Sequence, residues 1–324
     1  MMRKVLVNLR RGAGDPLYEY LKARLERSGF EVVKTNWQRD QCDQLLKDAR
    51  ECCAVVSGVE LWDAASLQAA SENIRLITRV GSGCDNIDVL AATKCGIAVM
   101  STAGSNASAV AEGALALMLS LCRRIALSDR TMRSGVWNNG LLTTELAGKT
   151  VGIVGYGRIG SRLAKLLSGF DVRILAYNHS PKEAIGVEFV DLDRLVRESD
   201  FISVHVPATA ESAHMFNKTV FEKMKPSAFF INTSRGAVVA EDDLIEALEN
   251  GTIAGAALDV FEQEPLPPDS PLLKLDQVVV TPHVQSASKE SAFKTMEMTA
   301  ENVRLFFDAP RKARTLNPAY IENV

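Results

Sequence analysis

Val151-Gly152-Ile153-Val154-Gly155-Tyr156-Gly157-Arg158-Ile159-Gly160 carries an apolar run straight into glycines spaced GxGxxG, at Gly155, Gly157 and Gly160. The spacing alone is weak evidence. Here a strand-like run precedes it and a helical pattern, Ser161–Leu167, follows, which is the context a dinucleotide-binding turn requires. Gly155 permits the tight turn, Gly157 lets backbone approach a pyrophosphate, and Gly160 lets helix pack closely on strand. Arg158 and Ile159 would open the helix, whose free N–H groups and partial positive charge favour phosphate. The second strand of such a unit ends in an acidic ribose ligand about 20 residues on. Eighteen residues after Gly160 stands Asn178, followed by His179, Ser180 and Lys182. An amide can bond a ribose hydroxyl yet does not repel a 2′-phosphate, and His179 and Lys182 would favour one. The cofactor is therefore NAD or NADP, with the preference open.

Working outward, short apolar runs alternate with helical patterns along the whole chain. Lys4–Leu9, Glu31–Lys34, Ala54–Ser57, Ile74–Val80 and Ile97–Met100 read as strands, with a helix at Leu17–Arg27. A second series reads Thr150–Gly155, Arg173–Asn178, Phe201–Val206, Ala228–Thr233, Gly255–Val260 and Val278–His283. Between them lies a long helical pattern, Asn106–Ile125, with Ser105 at its N-cap, then a loop around Gly135–Leu142. An amphipathic helix closes the chain at Lys289–Phe307. The densest turn clusters are Arg10–Pro16 and Glu264–Pro271. Such alternation predicts an α/β protein with two parallel sheets covered by helices on both faces. The dinucleotide domain is expected at 104–287, inserted into a discontinuous domain of 1–103 and 288–324.

At 324 residues, 47% hydrophobic and 24% charged, the chain is long enough for two such cores. A net charge of -3 without a basic stripe argues against nucleic acid. The first residues turn polar too soon for a signal peptide, and no apolar run reaches membrane-spanning length, so a cytoplasmic location is expected. The six cysteines, Cys42, Cys52, Cys53, Cys84, Cys95 and Cys122, form no CxxC pair, and no metal site is expected.

Five blocks then fall in one order: Gly81-Ser82-Gly83-Cys84-Asp85-Asn86-Ile87-Asp88; Asn106-Ala107 through Ala116-Leu117-Met118-Leu119; Glu145-Leu146-Ala147-Gly148-Lys149-Thr150; Asn232-Thr233-Ser234-Arg235-Gly236; and Leu258-Asp259-Val260-Phe261-Glu262-Gln263-Glu264-Pro265 with Thr281-Pro282-His283. Together they resemble the D-2-hydroxyacid dehydrogenase family, with the look of its phosphoglycerate dehydrogenase and glyoxylate–hydroxypyruvate reductase branches. The resemblance implies two flavodoxin- or Rossmann-like domains and hydride transfer between NAD(P)(H) and C2 of a small 2-keto or 2-hydroxy acid. It implies a catalytic trio of Arg235, Glu264 and His283. Asp259 would contact the nicotinamide, and Thr233, Ser234 and Ser286 are further candidate cofactor contacts. Arg79 and the amides of Val80, Gly81, Ser82 and Gly83 would hold the substrate carboxylate, and a homodimer would form through 107–140.

The chemistry asks for these residue types. A keto acid must have its carboxylate held, its carbonyl polarised and a proton delivered. A guanidinium fork can donate to carboxylate and carbonyl together, and Arg235 follows an apolar strand. Histidine titrates nearest neutral pH and is the natural acid, and His283 ends another strand. Glu264 would orient it and stabilise its protonated form. Spacing alone does not choose Glu264 over Glu262 or Asp269; the family pattern, glutamate before proline, does. Of the other histidines, His205 would line the cofactor crevice and His214 looks structural. Ala54-Val55-Val56 leads to Ser57-Gly58, where the phosphoglycerate branch often places an arginine, so glyoxylate and hydroxypyruvate stand beside 3-phosphoglycerate. Gln285 is a second departure, since small residues are common there. A nicotinamide-sensing protein-binding module is the alternative class; it would not need the trio.

Overall fold

A computed structural model describes residues 2–9, 12–35, 42–137 and 140–323. Arg10 and Arg11 of the first turn cluster, and 138–139 of the 107–140 segment, lie outside the described residues. The chain forms two compact units, Met1–Asn106 with Ser288–Val324, and Ala107–Ala287.

The first unit holds β1 (Arg3–Asn8), β2 (Phe30–Thr35), β3 (Ala54–Ser57), β4 (Leu76–Arg79) and β5 (Ala98–Ser101). They form one parallel sheet in the order β2-β1-β3-β4-β5. Because β3 returns beside β1, the carboxyl ends of those two strands flank a topological switch point, where open α/β sheets bind ligands. Each face of the sheet has its own apolar core. One is built with Leu21, Leu25 and Phe30, the other with Trp62, Leu67 and Ile74. The helix Lys289–Asp308 returns to this unit. Met296, Ala300 and Val303 enter the core, and Asn302 donates to the Thr78 hydroxyl and the Ser101 carbonyl, each at 3.1 Å.

The second unit holds β6 (Thr150–Val154), β7 (Arg173–Tyr177), β8 (Glu188–Phe189), β9 (Phe201–Val204), β10 (Phe229–Asn232), β11 (Gly255–Leu258) and β12 (Val278–Val280). Their order is β12-β11-β10-β9-β6-β7-β8, again parallel throughout among the described residues. The switch point lies between β6 and β9. The helices Ala107–Cys122 and Arg158–Leu167 cover one face and Leu192–Glu198 and Glu241–Glu249 the other. No helix among the described residues is long and apolar enough to cross a membrane.

Several local expectations are corrected. The long helix expected at Asn106–Ile125 runs Ala107–Cys122, Arg124 takes left-handed backbone (φ 50°), and a further helix that was not expected, Ile125–Arg133, follows. Ser105 is not the cap; its hydroxyl accepts from Thr295 at 2.8 Å, and the helix opens at Ala107. The short β8 was not expected; Phe189 there meets the Tyr156 ring edge-on at 5.0 Å. Strands expected to reach Gly155, Val206, Val260 and His283 stop at Val154, Val204, Leu258 and Val280. Most of the candidate residues of the second unit lie beyond those ends.

Candidate active site

Every candidate in the second unit sits just past the carboxyl end of a strand. After β6, Gly155 adopts φ 97°, and a Cβ there would lie 2.7 Å from the His205 carbonyl oxygen. A Cβ on Gly160 would lie 2.2 Å from the Gly155 carbonyl oxygen, so the helix Arg158–Leu167 approaches the strand as only glycine allows. A Cβ on Gly157 would meet nothing within 4 Å: the turn faces open space there. Gly157 caps this helix without a side-chain bond, leaving the first N–H groups for a ligand.

After β7, the Asn178 carboxamide is already engaged. Its Oδ1 accepts from the Tyr156 N–H at 3.0 Å and its Nδ2 donates to the Ser180 carbonyl at 2.8 Å. It clasps the glycine turn to the 178–180 loop, a role the sequence did not reveal, while His179 is exposed. After β9, His205 is half-buried with Nε2 3.0 Å from the Ser203 hydroxyl, and desolvation of the ring pushes its pKa down to about 4. Its Nδ1 and the Thr233 hydroxyl are buried without a hydrogen-bond partner among the described residues. An open helix N-terminus, a cradle of glycines and an orphaned hydroxyl at the neighbouring strand end fit a dinucleotide.

After β10, Asn232 shapes the turn that aims Arg235. Its Oδ1 accepts from Ser234 N (2.9 Å) and Oγ (2.8 Å), and its Nδ2 donates to the Arg235 carbonyl at 2.9 Å. Asparagine at a strand end before serine was the sequence signal for this turn. The Arg235 Nη1 donates to the Ser234 carbonyl at 2.8 Å. Next to it, a Cβ on Gly236 would fall 1.8 Å from the Phe261 carbonyl oxygen, so the arginine turn and the loop after β11 are packed backbone on backbone.

That loop sets Glu264, and not Glu262, against His283. Glu264 accepts from the Phe261 N–H at 3.1 Å, and its other oxygen lies 2.8 Å from His283 Nδ1. Glu262 instead pairs with His214 Nε2 at 2.7 Å. His283 takes left-handed backbone (φ 52°) and its N–H donates to the Asp259 carbonyl at 2.9 Å. The buried Asp259 side chain, expected at the nicotinamide, accepts from Thr281 Oγ1 (2.6 Å), Val284 N (2.9 Å) and Gln285 N (3.1 Å). It anchors the loop that carries His283. Ser286 follows this loop and is half-buried.

In the first unit, the 79–83 segment differs from expectation. The Val80 N–H donates to the Ser57 carbonyl (3.0 Å) and the Gly81 N–H to the Thr102 hydroxyl (2.9 Å). Only the Ser82 and Gly83 N–H groups of that set have no partner among the described residues. The Arg79 guanidinium donates to Asn86 Oδ1 at 3.1 Å and to the Val80 carbonyl, bracing its own loop. Nothing in the sequence pointed to Glu60. It is buried after β3 and accepts from Asn8 Nδ2 (2.7 Å), Gly58 N (2.9 Å) and Trp62 Nε1 (3.3 Å).

Residues 115–285 match the family model described as D-isomer specific 2-hydroxyacid dehydrogenase, NAD binding domain. A glyoxylate reductase of Korarchaeum cryptofilum is 43% identical over 271 residues, covering 81% of this chain and 82% of that protein. A D-3-phosphoglycerate dehydrogenase of Archaeoglobus fulgidus is 39% identical over 295 residues, covering 89% of this chain but 55% of its own length. A crystal structure of an NADPH-dependent glyoxylate/hydroxypyruvate reductase from Sinorhizobium meliloti, in complex with NADP and malonate, superposes with a TM-score of 0.84 at 30% identity, covering 95% of each chain.

Proposed function

The chain belongs to the D-isomer-specific 2-hydroxyacid dehydrogenases, NAD(P)-dependent oxidoreductases, and on that premise we propose that it reduces a small unphosphorylated 2-keto acid, glyoxylate or hydroxypyruvate. The observation that carries this reading is the loop after β3. A phosphate ester needs a cation, and 57–61 carries none. A Cβ on Gly58 would fall 2.6 Å from the Asn8 carbonyl oxygen, so no arginine can stand there without moving β1. The buried carboxylate of Glu60 is matched instead by neutral donors from Asn8, Gly58 and Trp62, and repels an anion.

A bound nicotinamide supplies the hydride that reaches C2. The Arg235 guanidinium donates to the substrate carboxylate and to the carbonyl oxygen as that oxygen gains negative charge. His283 Nε2 gives the proton that completes the hydroxyl, while Glu264 holds Nδ1 and fixes the ring. Within the first unit, the Ser82 and Gly83 amides are the candidate anion donors, and Val80, Gly81 and Arg79 shape their loop. Gly155, Gly157, Arg158, Ile159 and Gly160 would hold the pyrophosphate of a bound dinucleotide, and Thr233, Ser234 and Ser286 would be further cofactor contacts. With no acid at Asn178, NADP is accepted alongside NAD. The working form is a homodimer through 107–140.

The test is the specificity constant, followed at 340 nm, for glyoxylate, hydroxypyruvate and the 3-phosphate ester of hydroxypyruvate. We expect an unphosphorylated acid to lead by about tenfold or more, the factor that roughly 1.4 kcal/mol of lost phosphate binding gives. A lead for the phosphate ester would overturn the substrate assignment.

A further inference from the structure

We propose that Gly113 and Gln285 are a coupled positioning pair: the helix Ala107–Cys122 holds the 281–285 loop, and with it His283, in its proton-donating geometry. This rests on the reading of His283 as the proton donor.

The argument starts from a glycine in the wrong place. Gly113 lies inside a 16-residue helix, where alanine is the better helix former. The structure supplies the reason for glycine. A Cβ at 113 would lie 2.1 Å from Gln285 Oε1 and 2.9 Å from both its Cβ and its Cδ. Swinging the carboxamide away would relieve the first contact. It would not relieve the contact with the Gln285 Cβ, whose place is set by the loop backbone. The Gln285 side chain therefore lies flat on helix backbone, and the loop sits where it does because residue 113 has no side chain.

From there the chain of contacts is short. Gln285 Nε2 donates to Thr281 Oγ1 at 3.1 Å, which fixes the hydroxyl to donate in turn to Asp259 Oδ1 at 2.6 Å. The Gln285 N–H donates to Asp259 Oδ2 at 3.1 Å. Gln285 thus ties both ends of the loop to one buried carboxylate. His283, between those ends, has a side chain 45% exposed, so packing does not hold it. It also holds left-handed backbone, which a residue other than glycine keeps only when its neighbours over-determine it. The Gln285 bonds supply that determination. A shift of a few tenths of an ångström at residue 285 passes to His283 and to its 2.8 Å contact with Glu264.

The experiment is a double-mutant cycle on the full chain, reading kcat and KM for glyoxylate reduction and the Kd of NADPH by fluorescence. Gly113→Ala should lower kcat about tenfold or more with the NADPH Kd unchanged within about twofold, the signature of a defect in the chemical step. Gln285→Gly removes the Cβ as well as the carboxamide, so it should lower kcat less and also cancel the effect of Gly113→Ala. The double variant should match Gln285→Gly within about twofold, a coupling characteristic of groups in contact. Equal losses from Gly113→Ala in both backgrounds, or no loss at all, overturn the pairing. If Gly113→Ala does not fold, Gln285→Met, which keeps the bulk and loses the donor to Thr281, should still lower kcat at unchanged NADPH Kd; a parental kcat overturns the proposal. A parent chain that turns over no keto acid overturns the functional reading and this inference with it. An active parent with an additive cycle overturns the pairing alone.

Discussion

At the scale of the residue, Arg235 and His205 show two uses of a strand end. Arg235 leaves β10 in extended backbone (φ -143°), with one guanidinium nitrogen bonded to the Ser234 carbonyl and its own backbone carbonyl held by Asn232. Arg235→Lys keeps the charge and loses the planar fork, so it cannot grip carboxylate and carbonyl together. Turnover should fall by roughly 10²–10³, the usual loss of a well-aimed donor to developing charge. NADPH binding by fluorescence should be almost unchanged. A variant that reduces glyoxylate at the parental rate would take Arg235 out of the mechanism. One that loses cofactor binding as completely as turnover would make it a cofactor residue. His205 is a half-buried base, and desolvation of its ring lowers its pKa from 6.5 to about 4. Above pH 6.5 it is uncharged in the folded and unfolded chain alike. As pH falls from 6.5 towards 4, the unfolded chain takes up a proton that the folded one refuses, and stability is lost across that window. By pH 5 the loss is about 2 kcal/mol. Urea midpoints at pH 7.5 and pH 5 should show it in the parent and show less in His205→Gln. The same pH dependence in both proteins would assign the acid sensitivity elsewhere.

At the scale of the element, the loops carry what the strands position. Asn178 joins two of them, accepting from Tyr156 in the glycine turn and donating to Ser180 in its own loop. Asn178→Asp would keep the first bond and set a carboxylate against the Ser180 carbonyl. It would add a charge that repels a 2′-phosphate by a few kcal/mol at an intermediate dielectric. The ratio of specificity constants should move towards NADH by about tenfold or more; an unmoved ratio would mean that the ribose is read elsewhere. The glycine turn was legible in sequence because geometry demands each glycine locally, Gly155 for its φ of 97° and Gly160 for its approach to Gly155. The parallel sheets were legible because strands buried on both faces are short apolar runs. What stayed hidden depends on distant partners. The N–H groups of Val80 and Gly81 bond Ser57 and Thr102, and nothing in the local pattern says so. Glu262 and Glu264 are two residues apart and equal by spacing, and only the family pattern separated them; the fold gives one to His214 and the other to His283. The turn at Arg124 carries no glycine or proline, so the end of the first helix was placed three residues late and the helix Ile125–Arg133 was missed.

At the scale of the whole molecule, the helix Ile125–Arg133 poses the question of assembly. None of its residues is buried, although Ile125 and Met132 are large and apolar. The segment that follows exposes Val136, Trp137 (76%) and Leu142 (90%). Single exposed apolar residues are ordinary, but five among the described residues of 125–142 are more than chance exposure explains, and contiguous apolar surface marks interaction sites. Covering apolar area returns roughly 25 cal/mol per Å², and a stable interface needs about 800 Å² from each partner. A second copy of the chain is the simplest cover, since two-fold dimers are the commonest assemblies and match a patch to itself. Light scattering at micromolar concentration should therefore give twice the 35.3 kDa of one chain. The double variant Trp137→Glu, Leu142→Glu should give the single-chain mass with its circular dichroism intact, because neither side chain belongs to a core. A monomeric parent would leave the patch to another partner. A variant that stays dimeric would move the interface off this segment.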